Sequence, residues 1–545
     1  MNSTFESYYY LVKNNLIKQT RSYPFLLVIG MSIFIGYACV PDATAGYEVF
    51  YIGGVRGLYN SAWLGGMVAM LSTLLLWLFG FYLLRNQVSE DHRLKVGQII
   101  ASTPISNMRY ISSKVLSHFL LLLVIESITV VAFMAMQLLR GEEYHIQVWG
   151  YFAPFLFIAL PSLLVLAALT IFFDVAPGLK GVVGNILFFF LWIFFSVISI
   201  ASPNSFWDLY GLDSIRSDMV EEAATQYEFI KDGEEGGSFG YYPMEEKIAT
   251  FVWQGVEWDS HILLQRVIWL GMAIIVTMLS AMMFSRFKNE KRNSQEGKVL
   301  LFESKRKQET NVHLNQVPQL SPVEKDKQVS LSRLVKAELQ IMLKGHSIWW
   351  YLVAIGMVAG SFLLPLDQIR SWLPVIMVFP IAMWSQMGTR EKYYFTQELI
   401  FASCPPLYKF FAVWISGVLV TLLVSIGAIV HFLIDGELSL FYSWMTGVFF
   451  IPTTGLALGV WSGSRKLFEV IYMLWWYLGP VNDIPYLDFL GVSTSYNGFY
   501  LNLTLVLLGI TIVVQLVKTG HLQSGFKKAM IEKEYSNGGI DEKFK

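Results

Sequence analysis

Apolar runs of about 20 residues recur along the whole chain and constrain its fold more than any other feature. A helix needs ~20 apolar residues to cross a bilayer, because every backbone N–H and C=O must be paired within the segment. Only 15% of the 545 residues are charged, against roughly 25% in ordinary soluble domains. The sequence therefore predicts an all-α polytopic membrane protein that is surrounded by membrane lipids.

The apolar runs predict about twelve transmembrane helices in two sets of six. The first set lies near 23–40, 61–84, 115–139, 151–173, 181–201 and 262–284. The second set lies near 349–366, 371–387, 408–433, 441–461, 466–480 and 499–517. The predicted regions are a first six-span unit at 1–285, a linker at 286–330, a second six-span unit at 331–520 and a tail at 521–545.

The positions of the basic residues predict the orientation. If the N-terminus is cytoplasmic, 33 of the 40 Lys and Arg residues lie in cytoplasmic segments and 6 in outer segments, with Arg266 at the edge of a span. Cytoplasmic loops of membrane proteins carry such an excess. We therefore expect both termini in the cytoplasm. The net charge of −1 gives no basic excess for a nucleic-acid partner.

The predicted outer loop 202–260 is acidic and rich in aromatic residues. It holds 13 Asp or Glu against 3 Lys or Arg. Its aromatic side chains, such as Trp207 and Trp253, indicate that it is partly folded against the outer mouth. Two interpretations stay open, a solvated acidic cap and a gate that faces the substrate.

Each half begins with an amphipathic stretch directly before its first span. These stretches are 8–18 and 331–344, and each carries an apolar stripe beside basic residues. Such a pattern is typical of a helix that lies in the membrane interface. A juxtamembrane tail is the alternative interpretation.

A second repeat lies between the second and third spans of each half. Four residues recur at one offset of 301, namely Glu90, Ala101, Ser102 and Pro104 in the first half and Glu391, Ala402, Ser403 and Pro405 in the second. An acidic residue in a first turn favours a helix start, and proline disfavours helix in the residue before it. Each half is therefore predicted to present one short helix at the cytoplasmic surface.

Glu126 lies 11 residues into the third predicted span, about 16 Å at 1.5 Å per residue. A charge near mid-membrane costs about 2.5–3.5 kcal/mol on insertion scales. Glu126 is therefore predicted to face the bundle interior, neutral or hydrogen-bonded. A structural hydrogen bond between helices and a place in a translocation path or proton relay are both open.

With these features the chain resembles the permease subunits of ABC transporters of the ABC-2 type, which share a fold with type V exporters. The resemblance implies that 8–18 and 331–344 are interfacial elbow helices. It also implies that Glu90–Pro104 and Glu391–Pro405 are coupling helices, which carry the family's acidic residue at Glu90 and Glu391 and dock into a groove of an ATP-binding subunit. The expected function is export of an amphipathic or hydrophobic compound, such as a lipid, peptide or antibiotic, across a bacterial plasma membrane.

The sequence contains no G-x-x-x-x-G-K-[ST] phosphate-binding loop. We therefore expect no enzymatic activity or cofactor in this chain, and ATP hydrolysis in a separate ABC ATPase subunit present in two copies. The two cysteines, Cys39 and Cys404, offer no Cys-based metal site. Two alternatives are an ion-gradient-driven secondary transporter that uses Glu126 and a scaffold or sensor that presents loop 202–260.

Overall fold

A computed structural model of the chain describes residues 2–42, 45–201, 206–230, 237–244, 248–284, 330–344, 348–482, 484–491 and 498–520. The chain divides into two compact units, Met1–Lys298 and Val299–Lys545. Each unit is described by itself. The predicted tail 521–545, and the predicted linker 286–330 up to its last residue, lie outside the described residues.

Unit 1 is built mainly from helices. They are α1 (Asn2–Thr20), α2 (Tyr23–Cys39), α3 (Ser61–Leu84), α4 (Gln87–Arg93), α5 (Val96–Ser102), α6 (Asn107–Arg140), α7 (Val148–Val175), α8 (Val182–Ala201), α9 (Leu212–Gln226) and α10 (Ser260–Met283). Helix α7 opens into a π turn at Phe155–Ala159. Two prolines flank this turn, Pro154 and Pro161, and neither has an N–H to donate to the helical hydrogen-bond ladder. A 3₁₀ turn, Glu228–Ile230, follows α9.

Unit 2 is also helical. Its helices are α11 (Leu331–Leu343), α12 (Ile348–Leu363), α13 (Leu366–Val378), α14 (Ile381–Trp384), α15 (Arg390–Tyr393), α16 (Gln397–Ser403), α17 (Pro406–Val424), α18 (Ile426–Ile434), α19 (Leu438–Ser462), α20 (Arg465–Trp476) and α21 (Phe499–Lys518). Helix α20 continues as a π turn, Tyr477–Val481, and a 3₁₀ turn follows at Pro485–Leu487.

Eight helices in the described part of the chain are long and apolar enough to cross a membrane. They are Ser61–Arg93, Asn107–Arg140, Val148–Val175, Val182–Ala201, Ser260–Met283, Pro406–Val424, Leu438–Ser462 and Phe499–Lys518. The bent pairs α1–α2 (71°) and α11–α12 (107°) raise the number to ten if each pair is one span. The protein is thus a helical polytopic membrane protein, and eight to ten of the twelve predicted spans meet this test.

The predicted spans 371–387 and 466–480 do not meet it. The first is interrupted at Pro380 between α13 and α14, because proline cannot donate to the helical hydrogen-bond ladder. Helices α13 and α20 have 13 and 12 residues. At 1.5 Å per residue they cover about 20 and 18 Å, or about 25 Å for α20 together with its π turn, and each length is less than the ~30 Å hydrocarbon core.

A four-stranded sheet, which the sequence analysis did not predict, covers one end of unit 1. Its strands are β1 (Tyr47–Ile52), β2 (Val55–Gly57), β3 (Gly237–Pro243) and β4 (Ala249–Phe251), in the order β3-β1-β2-β4. Strand β1 is antiparallel to β2 and β3, and β2 is parallel to β4. Strands of three to seven residues are too short to show a clear alternating pattern in the sequence.

The sheet packs on the first turns of α3. The fully buried Trp63 ring lies 5.3 Å from the Phe50 ring, 5.6 Å from Phe251 and 6.4 Å from Trp253, measured between centroids. Gly57 leaves room for it, since a Cβ there would lie 2.1 Å from the Trp63 ring. The described part of the acidic loop 202–260 is thus a folded cap, joined to the loop after α2.

Candidate functional site

In unit 1 the chain folds back between α3 and α6 through two short helices. Asn86 and Lys95 have φ values of 68° and 61°. Asn86 interrupts the backbone between α3 and α4, which continue as the one candidate span Ser61–Arg93, and Lys95 separates α4 from α5. The prediction of a single helix near 90–104 is therefore wrong, because a left-handed residue such as Lys95 interrupts a right-handed helix. Helix α5 ends at Ser102, two residues before Pro104. Residues 86–105 form protrusion 1.

Unit 2 repeats this arrangement between α14 and α17. Phe395, with φ of 55°, separates α15 from α16. Helices α5 and α16 both have seven residues, and they end at Ser102 and Ser403, which the offset of 301 paired in the sequence. Residues 388–405 form protrusion 2. The sequence repeat thus corresponds to a repeated local fold.

The carboxylates of protrusion 1 are neutralised by lysines of unit 1. The buried Lys114 ammonium, on α6, lies 2.6 Å from Asp91, and the Tyr110 hydroxyl donates to the same carboxylate oxygen at 2.8 Å. Lys18 of α1 lies 3.0 Å from Glu90 and 3.6 Å from Asp91. The cluster ties α1, α4 and α6 together.

A similar cluster holds protrusion 2. The buried Glu338 carboxylate, on α11, accepts hydrogen bonds from Lys409 of α17 and, at 3.2 Å, from Arg390 of α15. Lys409 also lies 3.2 Å from Glu391. Burial lowers the pKa of the Arg390 guanidinium, and the two carboxylates oppose that shift. In both units, salt bridges join the first helix, the protrusion and the helix that follows the protrusion.

Glu90 and Glu391, the matched acidic residues, are therefore engaged inside their own units. Their side chains are 33% and 13% exposed. The sequence identified both residues but not their partners. Which lysine lies near each carboxylate depends on how the helices pack, so Lys18 and Lys409 could not be found from the sequence. We conclude that the two carboxylates position the protrusions.

Both protrusions expose large apolar side chains, beside the exposed polar residues Lys95 and Gln98 of protrusion 1 and Lys392 and Glu398 of protrusion 2. Ile99 on α5 is 66% exposed and Leu399 on α16 is 74% exposed. The other large exposed apolar side chains are Leu94 and Val96 in protrusion 1 and Tyr393, Tyr394 and Phe395 in protrusion 2. The matched residues Ala101, Ser102, Pro104, Ala402, Ser403 and Pro405 are exposed as well. Contiguous exposed apolar side chains mark surfaces that contact another protein or a membrane.

A third carboxylate anchors the start of protrusion 1. Asp174, at the end of α7, accepts the backbone N–H of Asn86 at 2.8 Å and lies 3.6 Å from the buried Arg85 guanidinium. The guanidinium also donates to the Leu179 carbonyl, in the turn that follows α7. The first residues of protrusion 1 are thus fixed to α7.

A second group of polar side chains lies on one face of α6 inside unit 1. Glu126 is fully buried, and its Oε1 accepts a hydrogen bond from the Ser72 hydroxyl of α3 at 2.6 Å. Its Oε2 has no hydrogen-bond partner among the described residues. Nearer the protrusion, His118 lies 2.9 Å from the Thr170 hydroxyl of α7. Glu126 therefore faces the interior of the helix bundle of unit 1, as the free-energy cost of a charge in lipid predicts.

Near the cap, the same face of α6 carries another contact with α3 and α7. The buried Gln137 side chain exchanges hydrogen bonds with the Ser61 hydroxyl at 3.1 Å and accepts one from the Tyr151 hydroxyl at 2.9 Å. In unit 2, by contrast, no Asp or Glu occurs between Pro406 and Ile434. Each unit therefore has a protrusion of the same kind, but the helix that follows the protrusion carries a buried carboxylate in unit 1 and none in unit 2.

A scan against protein-family models, a search of curated proteins and a search of solved structures each found no significant match. Within the described residues, no group of three or more His, Cys, Asp or Glu is arranged to hold a metal ion. The functional interpretation therefore depends on the repeated protrusions and on the polar interior of unit 1.

Proposed function

We propose that this chain is the membrane-spanning permease of a transporter whose ATP-hydrolysing subunit is a separate protein. The observation that carries the proposal is the repeated protrusion, a seven-residue helix with an exposed apolar face in each unit. Two matched surfaces suit two copies of one partner subunit. The absence of a phosphate-binding loop from the sequence is consistent with an external source of ATP hydrolysis.

The attachment of the protrusions supports a role in transmitting force. Protrusion 1 leads directly into α6, a single helix of 34 residues, or about 51 Å at 1.5 Å per residue. The other end of protrusion 1 is held by the hydrogen bond from Asn86 to Asp174, and its middle by the salt bridges of Lys114 and Lys18. A partner that displaces α5 would therefore move α6 as a rigid body, together with the interior face that carries Glu126.

The charge clusters and the apolar faces have separate roles in this proposal. Glu90 and Glu391 position the protrusions, whereas Ile99 and Leu399 contact the partner subunit. The small exposed residues at the ends of α5 and α16, Ser102 and Ser403 among them, allow its close approach. The excess of Lys and Arg in the corresponding segments supports a cytoplasmic location for both protrusions.

The substrate class in this proposal comes from the resemblance to ABC-2 permeases. That resemblance rests on the amphipathic stretches and on the matched residues of the two protrusions. It supports export of an amphipathic or hydrophobic compound across a bacterial plasma membrane. The interfacial position of α1 and α11 belongs to the same proposal and is supported by their basic, amphipathic sequences.

The docking surface is tested by placing a charge on it. Ile99→Glu combined with Leu399→Glu should abolish co-purification with the cognate ABC-type ATPase and reduce its stimulated ATP hydrolysis more than tenfold. The matched control is Tyr144→Glu, a 64% exposed apolar residue between α6 and α7, which should leave both unchanged. Unchanged complex formation by the double variant would contradict the proposal.

The unpaired oxygen of Glu126 favours a second candidate function, transport driven by an ion gradient with Glu126 as the proton carrier. In proteoliposomes, Glu126→Gln would then abolish transport while keeping the hydrogen bond to Ser72 and the melting temperature. If Glu126 only joins α3 to α6, the same variant keeps both transport and stability. Transport that stops on addition of a protonophore, without any ATPase, would select this second function over the first.

A further inference from the structure

A shallow groove, open to the surroundings along its length, runs along α6 in unit 1, beside α1. It is lined by Leu16 of α1 and by the side chains of α6 between Leu120 and Val131, with a volume of about 590 Å³. The lining is apolar except for Ser127, whose hydroxyl donates to the Leu123 carbonyl at 2.7 Å. The groove therefore offers no polar group to a ligand within its length.

The groove lies on the lipid side of a candidate span. Val124 and Val131, which line it, are exposed, whereas the neighbouring Glu126 is buried against α3 on another face of α6. Helix α1 forms one wall of the groove through Leu16. A hydrogen bond of 2.9 Å from Lys114 of α6 to Asn15 holds α1 against α6. The groove is thus separate from the polar interior and from the apolar faces of the protrusions.

Lys13 of α1 lies one helical turn from Leu16, which lines the groove. On α1, Tyr9, Lys13, Leu16 and Thr20 follow one another at spacings of four, three and four residues, so they share one face of the helix. Lys13 is exposed, with its ammonium 5.8 Å from the centre of the Tyr9 ring, and it forms no ion pair within the described residues. An ammonium therefore lies one helical turn from Leu16, at the wall of an apolar groove.

We propose that this groove binds one phospholipid with an anionic head group. One acyl chain fills the apolar groove along α6, and the head-group phosphate lies against the Lys13 ammonium. Basic residues at a membrane surface attract anionic lipids. Because an acyl chain in the bilayer is already in apolar surroundings, selectivity comes from the shape of the groove and from Lys13.

The site has a structural consequence for unit 1. The same helix α1 carries Lys13 at the groove and Lys18 at the charge cluster of protrusion 1. A lipid that holds α1 against α6 would therefore also stabilise the contact between Lys18 and Glu90. The lipid site does not depend on the transport function proposed above, so either can fail alone.

The test is native mass spectrometry of the purified full chain with added phosphatidylglycerol or phosphatidylcholine. We expect one phosphatidylglycerol to bind at least fivefold more tightly than phosphatidylcholine. Lys13→Ala should remove that preference, and Ser127→Trp, which fills the groove, should remove the tightly bound lipid. Val267→Trp, on the exposed side of α10, is the matched control and should bind as the unchanged chain does.

Lys13→Ala changes one exposed side chain and should not disturb folding. Its melting temperature should therefore equal that of the unchanged chain. Equal affinities for the two lipids would overturn the proposal. So would tight binding of phosphatidylglycerol that persists in both Lys13→Ala and a folded Ser127→Trp.

Discussion

Arg56 fastens the sheet of the cap to the helices of unit 1. The buried Arg56 guanidinium, in β2, donates to both carboxylate oxygens of Glu142 at 2.7 and 2.9 Å and to Glu48 of β1 at 2.8 Å. Planar guanidinium groups are suited to such bidentate contacts. Glu142 lies two residues after the end of α6 at Arg140, so this contact joins the sheet to the end of the longest described helix of unit 1.

The Glu142 contact makes the cap sensitive to acid. Burial opposes ionisation of Glu142, but hydrogen bonds from Arg56 and from the Tyr59 N–H outweigh it and hold the pKa of this carboxyl below its ordinary value of 4.5. A lowered folded-state pKa contributes stability that is fully present above about pH 4.5 and is lost as the pH falls through the folded value. The hydrogen-exchange protection factors of β1 and β2, which are corrected for the intrinsic pH dependence of amide exchange, should therefore fall below pH 4.5.

Glu142→Gln provides the comparison for this pH effect. It removes the titrating group, so hydrogen exchange in β1 and β2 should already be faster at pH 7 and should change less on acidification. The matched control is Glu143→Gln, the neighbouring carboxylate. If the Glu142→Gln variant shows the same pH profile as the unchanged chain, the assignment of the acid response to Glu142 is wrong.

Single residues also show what the sequence could and could not predict. The cost of a charge in lipid is a local property, so it correctly placed Glu126 in the interior. Ion pairs between distant residues are not local. Lys18 and Glu90, which are 3.0 Å apart, lie on different helices, and their pairing depends on how those helices pack.

At the level of elements, Lys409 holds three helices of unit 2 together. Lys409→Met would leave Glu338 and Glu391 without their shared ammonium. Removing one partner of a buried ion pair costs about 3–5 kcal/mol, so we expect a loss of up to that size in the free energy of unfolding. Denaturant unfolding of the detergent-solubilised protein measures it.

Two further variants test the Lys409 interpretation. Lys392→Met removes an exposed lysine from the same protrusion and should change stability by no more than about 0.5 kcal/mol. Adding Glu338→Gln to Lys409→Met should cost less than the sum of the two single changes, because the residues interact directly. Strict additivity would show that the ammonium does not stabilise Glu338.

The elements differ in how well their sequences predict them. The amphipathic stretches 8–18 and 331–344 lie on helices α1 and α11, because a period of 3.6 residues is visible over three turns. The break inside each protrusion was missed, because Lys95 and Phe395 are not residue types that signal a left-handed conformation. The strands were missed because their partners lie in a distant loop.

At the level of the whole molecule, the proposed common partner requires both protrusions to lie on one side of the membrane. In a background with Cys39 and Cys404 replaced by Ser, Ser102→Cys and Ser403→Cys should react with a membrane-impermeant maleimide from the same side. Tyr144→Cys, at the cap end of α6, should react only from the other side. Labelling of Ser102→Cys and Ser403→Cys from opposite sides would exclude a common partner for the two protrusions.

The sheet of the cap also constrains how the chain is made. Strand β3 begins at Gly237, 190 residues after the start of β1 at Tyr47. At 5–20 residues per second of synthesis, β1 waits on the order of ten to forty seconds for its partner. During that interval α3, α6, α7 and α8 enter the bilayer while the β1–β2 hairpin has unpaired edges. Closure of the four-stranded sheet is therefore a late step in the synthesis of unit 1, because β1 can pair with β3 only after the intervening helices have been made.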